Sequence, residues 1–245
     1  MQILGVDIGG SGIKGAIVDT KSGQLLAERH RIPTPKPATP EAVSKTLKKL
    51  VKHFDWKGKI GCGFPAVIRD DIVRTASNID KKWIGTNAAK LFRQTTGCKV
   101  TVLNDADAAG LAEKTFGAGK NCKGVVLIIT VGTGLGSALF INGKLVPNTE
   151  FGHVYLKGKI AEHYTSDAVR KKEDLSWNEW AKRFNIYLKH MEGLVWPDRI
   201  IIGGGASKKR HKFFDELNVN AEVVEATLLN NAGIIGAALA AKSLR

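Results

Sequence analysis

The chain has 245 residues, 43% of them hydrophobic, which is enough apolar material for one large domain or two smaller lobes. Its 37 lysines and arginines exceed its 23 acidic residues, and the net charge of +14 suits either a polyanionic partner or simple solubility. Three scattered cysteines indicate neither a disulfide framework nor a zinc site, and no secretory leader or membrane-spanning apolar run is recognisable. We therefore expect an unprocessed cytoplasmic protein that does not bind membranes.

The first predicted element is a β-hairpin with a glycine-rich tip. A β-branched strand leads into the sequence DIGGSGIK, and a second strand is predicted over 13–19. Glycines let the backbone approach a ligand closely, and the Ser11 hydroxyl and the backbone amides can donate to an anionic phosphate. The tip is therefore a candidate phosphate loop, although a tight turn alone would also account for these residues.

The rest of the first half alternates between strands and helices. A third strand is predicted over 24–32 and ends at the proline-rich stretch 33–40. Thr39 before Pro40 is typical of a helix N-cap followed by proline at the first helical position, and apolar residues at helical spacing follow to position 54. Further predicted elements are a strand over 59–64, a hairpin over 68–75, a helix over 87–95 and a strand over 99–103.

The second half repeats this plan. A helix of small residues from Asn104 precedes a second glycine hairpin, ITVGTGLGSA, with strands over 125–130 and 135–141. Ser176 and Glu179 form a capping box ahead of an apolar stripe that we assign to the core. A strand over 199–202 then runs into three glycines, followed by a basic helix, a strand over 221–224 and a helix over 232–241.

The duplicated hairpin predicts a two-lobed phosphotransferase of the α/β class. We place the lobes at 1–104 and 105–245, with a C-terminal helix over 231–243 that can pack back on the first lobe. Two such tips facing each other would clamp a phosphate chain between them.

Asp105 is the candidate catalytic residue. Asn104 and Asp105 follow a strand and open a helix, the position where α/β folds place functional groups. There a carboxylate can take a proton from a sugar hydroxyl that attacks phosphorus, with Asn104 orienting the sugar. The alternative is that the pair only caps the helix.

Three further groups of residues carry candidate chemistry. Glu150 and His153, in the sequence EFGH, combine acceptors and donors for sugar hydroxyls, although a lone loop histidine is more often structural. Asp7 ends the first strand and is a candidate Mg²⁺ ligand, or else an aspartate that stabilises a turn. Gly204 and Gly205, in the glycine triplet, are candidates for close approach to a phosphate.

Other nucleotide and nucleic-acid signatures are missing from the sequence. It has no Walker-type phosphate loop, no dinucleotide fingerprint and no protein-kinase motif. It also has no helix-turn-helix, zinc-finger or RNP pattern that would read bases, so a nucleic-acid partner is not expected.

Six motifs in order across nearly the whole chain, DIGGSGIKGAIVD, GFP, LNDADAAG, TVGTGLGSALF, EFGH and IIGGG, resemble the ROK family of sugar kinases and repressors. The run PNTEFGH and the segment LNDADAAGLAE are most similar to its polyphosphate-using glucose kinases, some of which also use ATP as the phosphoryl donor. The resemblance implies an actin-like, hexokinase-like fold with ribonuclease H-like lobes, a homodimer, and Mg²⁺ as cofactor.

The resemblance also implies a role for each motif, with Asp105 as general base. The glucose-binding residues would be Gly63, Phe64, Pro65, Asn78, Asn104, Asp105, Glu150, His153 and Glu162. The phosphate-binding residues would be Asp7, Gly9, Gly10, Ser11, Gly12, Lys14, Thr130, Gly132, Thr133, Gly134, Gly136, Gly204 and Gly205.

Two positions depart from the family pattern. The segment 154–161 lacks the cysteines that hold zinc in many relatives, so no zinc is expected, and Ala66 stands where the polyphosphate branch usually has glycine. The alternatives are an ATP-dependent kinase for glucose, mannose or an N-acetylated sugar, and a sugar-responsive regulator without a DNA-binding domain.

Overall fold

Strands and helices alternate along the chain in the computed structural model, which describes residues 1–77 and 79–244. The strands are β1 (Gln2–Ile8), β2 (Ile13–Asp19), β3 (His30–Ile32), β4 (Ile60–Phe64), β5 (Ile68–Arg69), β6 (Ile72–Val73), β7 (Val100–Asn104), β8 (Val125–Val131), β9 (Leu135–Ile141), β10 (Lys144–Val146), β11 (Tyr155–Leu156), β12 (Lys159–Ile160), β13 (Arg199–Gly204) and β14 (Glu222–Glu225). The helices are α1 (Pro40–His53), α2 (Ala88–Thr96), α3 (Asp105–Phe116), α4 (Glu162–Thr165), α5 (Asp167–Lys172), α6 (Trp177–Val195) and α7 (Ala232–Ala240).

The chain divides into two compact units. The first contains Met1–Ala112 together with the C-terminal segment from Asn231, and the second is Glu113–Asn230. One boundary therefore falls inside α3 rather than before it, and α7 belongs to the first unit, where it packs on β1 and β4. Among the described residues, no helix is both long and apolar enough to cross a bilayer.

The two large sheets have the same topology. The first has the order β3-β2-β1-β4-β7 and the second the order β10-β9-β8-β13-β14. In each sheet, the first three strands are antiparallel and the last three are parallel. Both glycine hairpins are confirmed as the central antiparallel pair of their sheets, β1 with β2 and β8 with β9.

Local capping signals also predicted helix starts correctly. The Thr39 side chain accepts a hydrogen bond from the Ala42 amide at 3.3 Å, and α1 begins at Pro40. Ser176 and Glu179 form the predicted capping box of α6, whose apolar stripe is fully buried. Because each cap satisfies amide groups that a helix start leaves unpaired, these short signals define helix boundaries reliably.

The C-terminal helix α7 lies very close to the first sheet and to α3 because glycines occupy three of its contacts. A Cβ on Gly61 would lie 1.7 Å from the Ala237 carbonyl oxygen, and one on Gly5 would lie 2.0 Å from the Ile234 carbonyl oxygen. On the helix itself, a Cβ on Gly236 would lie 1.6 Å from the carbonyl oxygen of Ala108 in α3. Hydrogen takes the place of a side chain at all three contacts, so backbone packs on backbone.

Two predicted elements are wrong in extent or type. The strand over 24–32 is reduced to His30–Ile32, because beyond a single bridge between Val18 and Leu25 the chain bends away from the sheet. The basic helix after the glycine triplet is instead a 3-10 segment, Ala206–Lys212, interrupted at Lys209. Its run of neighbouring cations places like charges at helical spacing, which disfavours a regular α-helix.

Candidate active site

In the first unit, the tip of the first hairpin is held by two side chains from the segment that follows β2. The Gly9 amide donates to the Gly12 carbonyl at 3.1 Å, which closes the turn. The buried Thr34 hydroxyl donates to the Gly9 carbonyl at 2.5 Å, and the Arg31 guanidinium donates to the Ser11 carbonyl at 2.6 Å. The loop conformation is therefore fixed from outside as well as by its own turn.

A charged row crosses the first sheet beside this loop. Asp7 on β1 lies opposite Lys14 on β2, and Lys14 lies opposite Arg31 on β3. Directly opposed residues project from the same face of a sheet, so the three side chains are neighbours. The Lys14 ammonium lies 3.2 Å from Asp7 Oδ2, in an ion pair that is only partly exposed.

Asp105 lies next to this row, beside Gly63 on β4. Gly63 pairs with Asp7 across the parallel strands β1 and β4, and a Cβ on Gly63 would lie 3.6 Å from the Asp105 Cα. The first turn of α3 therefore approaches the sheet closely, and Asp105 Oδ1 accepts the Ala106 amide at 2.8 Å. The sheet register thus gathers Asp7, Lys14, Gly63 and Asp105 in the first unit.

Asn104 acts as the cap of α3. Its Oδ1 accepts the amides of Ala106 at 2.8 Å and Asp107 at 3.1 Å, and its Nδ2 donates to the Ala66 carbonyl at 3.2 Å. Asn104 is therefore a helix cap, as the alternative interpretation predicted. The second N–H of its side-chain amide can donate to a ligand.

The GFP motif has two different environments. The Phe64 ring is fully buried against Trp83 and Phe92, so its side chain belongs to the core rather than to a ligand site. Pro65 instead lines a cleft of about 320 Å³ together with Gly9, Gly10 and Thr34. Asn78, the remaining predicted sugar residue of this unit, lies outside the described residues.

In the second unit, the second glycine loop lies beside the glycine triplet. The Gly132 amide donates to the Gly134 carbonyl at 3.0 Å, and Thr130 and Gly136 pair where the loop meets its strands. Gly204 pairs with Val131 on the neighbouring strand and has a φ of +79°. A Cβ there would lie 2.4 Å from the Val131 carbonyl oxygen, so both the backbone conformation and the packing require glycine. Thr133 is exposed at the loop tip, and Gly205 immediately precedes the 3-10 segment.

Glu150, His153 and Glu162 come together in the second unit. His153 Nδ1 lies 3.4 Å from Glu150 Oε2. Glu162 lies against the second glycine loop: its carboxylate accepts the Leu135 amide at 2.9 Å, and a Cβ on Gly134 would lie 2.1 Å from Oε2. The predicted sugar residues of this unit are therefore adjacent to its predicted phosphate loop.

Burial raises the pKa of the Glu150 carboxyl above its usual value. The nearby negative charge of Glu162 raises this pKa further, whereas His153 lowers it. Two carboxylates in one partly buried group disfavour double ionisation, which is typical of functional sites.

Sequence reasoning missed Arg31 and Thr34. Both contact the first glycine loop from the stretch in which the third strand was predicted too long, so their register against β2 was not visible. The pairing of Arg31 with Lys14 would have followed from a correct strand end.

Each unit has the sheet and loop arrangement of the actin-like, hexokinase-like class of phosphotransferases, and the comparisons with known proteins agree with that class. The chain belongs to the ROK family, whose model matches residues 3–174.

Three individual proteins illustrate this similarity. The chain is 50% identical over 238 residues to the polyphosphate glucokinase of Mycobacterium tuberculosis (strain CDC 1551 / Oshkosh), a match that covers 97% of this chain and 90% of the relative. The structure of the inorganic polyphosphate/ATP-glucomannokinase of Arthrobacter sp. strain KM is similar with a TM-score of 0.94 and 44% identity, covering 98% and 97% of the two chains. A ROK family glucokinase from Streptomyces griseus, in complex with glucose and AMPPNP, gives a TM-score of 0.85 and 26% identity over 99% of both chains.

Proposed function

We propose that this protein is a glucokinase that transfers a phosphoryl group from inorganic polyphosphate to the 6-hydroxyl of glucose. ATP is the alternative donor on the same scaffold. The observation that carries the proposal is the 50% identity to a polyphosphate glucokinase across 97% of the chain. The position of Asp105 next to the row that contains Asp7 and Lys14 adds chemical support.

In the proposed reaction, Asp105 is the general base. Its carboxylate accepts the proton of the glucose 6-hydroxyl while that oxygen attacks the terminal phosphorus of the donor. A bond forms from the 6-oxygen to phosphorus, and the bond from phosphorus to the bridging oxygen breaks. The products are glucose 6-phosphate and a polyphosphate that is one phosphate shorter. The hydrogen bond from the Ala106 amide orients the Asp105 carboxylate for this role.

Each of the two glycine loops, considered within its own unit, is a proposed phosphate-binding element. Backbone amides, the Ser11 and Thr133 hydroxyls and the Lys14 ammonium supply donors and positive charge to phosphate oxygens. These groups are set in place before the donor binds, so they stabilise the charge that develops during in-line transfer.

Asp7 fits the role of a magnesium ligand. Mg²⁺ takes one or two protein carboxylates and completes its shell with waters and phosphate oxygens. Lys14 is bound to Oδ2 of Asp7, which leaves Oδ1 outside that ion pair. Among the described residues, no group of three or more potential metal ligands occurs. When bound, Mg²⁺ neutralises phosphate charge beside the loop.

The residues that we propose for glucose binding form one group in each unit. Gly63, Pro65 and Asn104 come from the first unit, and Glu150, His153 and Glu162 come from the second. Carboxylate and imidazole groups can bind adjacent sugar hydroxyls, and Asn104 has an amide N–H to contribute. Asn78 completes the proposed set.

The charge of the chain favours polyphosphate as donor. A polymer with one negative charge per unit gains affinity from many cations through counterion release, and that affinity falls steeply as salt rises. The surplus of 14 basic charges is large for a protein of this size.

We further propose a cytoplasmic homodimer. The resemblance supports that assembly, and the three cysteines are free thiols, as expected in a reducing compartment.

The direct test is formation of glucose 6-phosphate by the purified protein with Mg²⁺ and glucose. Long-chain polyphosphate and ATP are compared at matched phosphate concentrations. Higher kcat/KM with polyphosphate supports the proposal. Turnover with ATP alone would identify an ATP-dependent hexokinase instead, and turnover with neither donor would contradict a glucokinase.

A further inference from the structure

Arg31 occupies the end of the charged row, next to the first glycine loop. It lies two strand spacings from Asp7, and with a spacing of about 4.8 Å its backbone lies about 10 Å from that of Asp7 along the row. Lys14 lies between them. In order of distance from Asp105, the row places the Asp7 carboxylate, the Lys14 ammonium and the Arg31 guanidinium, so both positive charges lie beyond Asp7.

The guanidinium is held in one place by the loop itself. It donates to the Ser11 carbonyl at 2.6 Å and lies against Gly12, where a Cβ would be 2.4 Å from Nε. Gly12 is not among the glycines with positive φ, so the turn itself does not require glycine at that position. The space that a side chain at position 12 would fill is taken by the Arg31 guanidinium.

Arg31 also differs from other arginines in its partner. Five arginines form ion pairs with carboxylates: Arg93, Arg170, Arg183, Arg199 and Arg210. Within residues 1–77 and 79–244, no carboxylate lies within ion-pair distance of Arg31, whose hydrogen bond goes to a backbone carbonyl. Its side chain is exposed, and a single carbonyl leaves most of the guanidinium N–H groups for a ligand.

We propose that Arg31 is a phosphate-binding residue of the donor site, which binds the phosphoanhydride chain beyond the phosphoryl group that is transferred. A planar guanidinium fixed at a phosphate loop is preorganised for two parallel hydrogen bonds to phosphate oxygens. This inference rests on the proposed function, because it assigns the residue to the same donor.

The test compares three variants. Arg31→Gln removes the charge, Arg31→Lys keeps the charge but not the planar fork, and Arg69→Gln removes an equal charge from an exposed residue of the first unit on β5. Binding of inorganic tripolyphosphate is measured by calorimetry without glucose at several salt concentrations. Kinetics follow with polyphosphate, ATP and glucose, and the melting temperature of each variant confirms folding.

We expect Arg31→Gln to weaken tripolyphosphate binding about tenfold or more and to raise the KM for polyphosphate by a similar factor. The KM for glucose should change little, and the dependence of log affinity on log salt should become shallower by about one. Arg31→Lys should be intermediate in affinity with an unchanged salt slope, and Arg69→Gln should match the wild type.

Equal tripolyphosphate affinity in Arg31→Gln and Arg69→Gln would overturn the inference. A fall in the kcat of Arg31→Gln at normal tripolyphosphate affinity would also overturn it, because Arg31 would then only order the loop. Failure of the wild-type protein to phosphorylate glucose from polyphosphate is a separate result. It would overturn the proposed function, whereas the binding comparison reports on Arg31 alone.

Discussion

Gly61 on β4 lies directly against Ala237 on α7, so closely that a Cβ on Gly61 would be 1.7 Å from the Ala237 carbonyl oxygen. The clash partner is backbone in a buried helix, so no flexible side chain can move aside. The contact between sheet and helix therefore depends on the absence of a single methyl group.

Replacing Gly61 with alanine should destabilise the protein by about 3 kcal/mol, the upper end for overpacking a tight core. Chemical denaturation of both proteins measures this change. The matched control is Gly193→Ala in α6, where nothing lies within 4 Å of the added Cβ. Helix propensity predicts that this control is stabilised, by up to about 1 kcal/mol. Similar effects for both substitutions would contradict the packing argument.

Asp105→Asn should separate catalysis from folding. The asparagine keeps an oxygen for the Ala106 amide but cannot accept the proton of the sugar hydroxyl. We expect kcat to fall by roughly 10²-fold or more, with the glucose KM and the melting temperature little changed. Steady-state kinetics and thermal melts of the two proteins are the measurement, and near-normal turnover would exclude Asp105 as the base.

Glu150 should make the stability of the protein depend on pH, with a lower contribution at high pH than at low pH. Burial raises the pKa of its carboxyl above the usual 4.5, so folding favours the protonated form. Its contribution to stability is full below pH 4.5 and is lost as the pH rises through the raised pKa. Glu150→Gln mimics the protonated form and should therefore raise the melting temperature more at pH 8 than at pH 4.

The control for this experiment is Glu41→Gln. A hydrogen bond from its own backbone amide, helped by the Thr39 hydroxyl, lowers the pKa of the Glu41 carboxyl. Its contribution is present above the usual pKa and is lost in acid, so Glu41→Gln should lower the melting temperature at pH 8 and have less effect at pH 4. Parallel pH profiles for the two variants would show that Glu150 is not shifted upwards.

Glu113 should be important for the stability of the second unit. This buried carboxylate accepts the amides of Ala118, Thr227 and Leu228 and also the Thr227 hydroxyl, at 2.7 to 3.3 Å. Glu113→Gln replaces one acceptor oxygen with a donor facing these groups, which should cost about 2 to 3 kcal/mol.

Urea unfolding of Glu113→Gln, beside the exposed substitution Glu28→Gln, measures this effect. A loss no larger than that of Glu28→Gln would mean that the four hydrogen bonds add nothing to the net free energy of unfolding.

Sequence reasoning found the hairpins and helix caps whose signals lie within a few consecutive residues. The two glycine tips, the Thr39 cap and the Ser176–Glu179 capping box each occupy a few consecutive residues, and their strands or helices were found as predicted. The role of Gly12 could not be found in this way, because the guanidinium it accommodates comes from a different strand. Phe64 shows the same limit: a motif residue turned out to pack in the core, which depends on Trp83 and Phe92.

The position of α7 has a consequence for how the chain folds as it is made. The second unit is continuous in sequence, so it can fold once residue 230 has emerged from the ribosome. The first unit begins at the N-terminus yet lacks its tightly packed helix until residues 232–240 are made. Synthesis usually lets the N-terminal part of a protein fold first. Here the second unit can finish folding before the first. Until α7 is made, the glycine-lined face of the first sheet is uncovered, and it is the surface that a chaperone would have to cover.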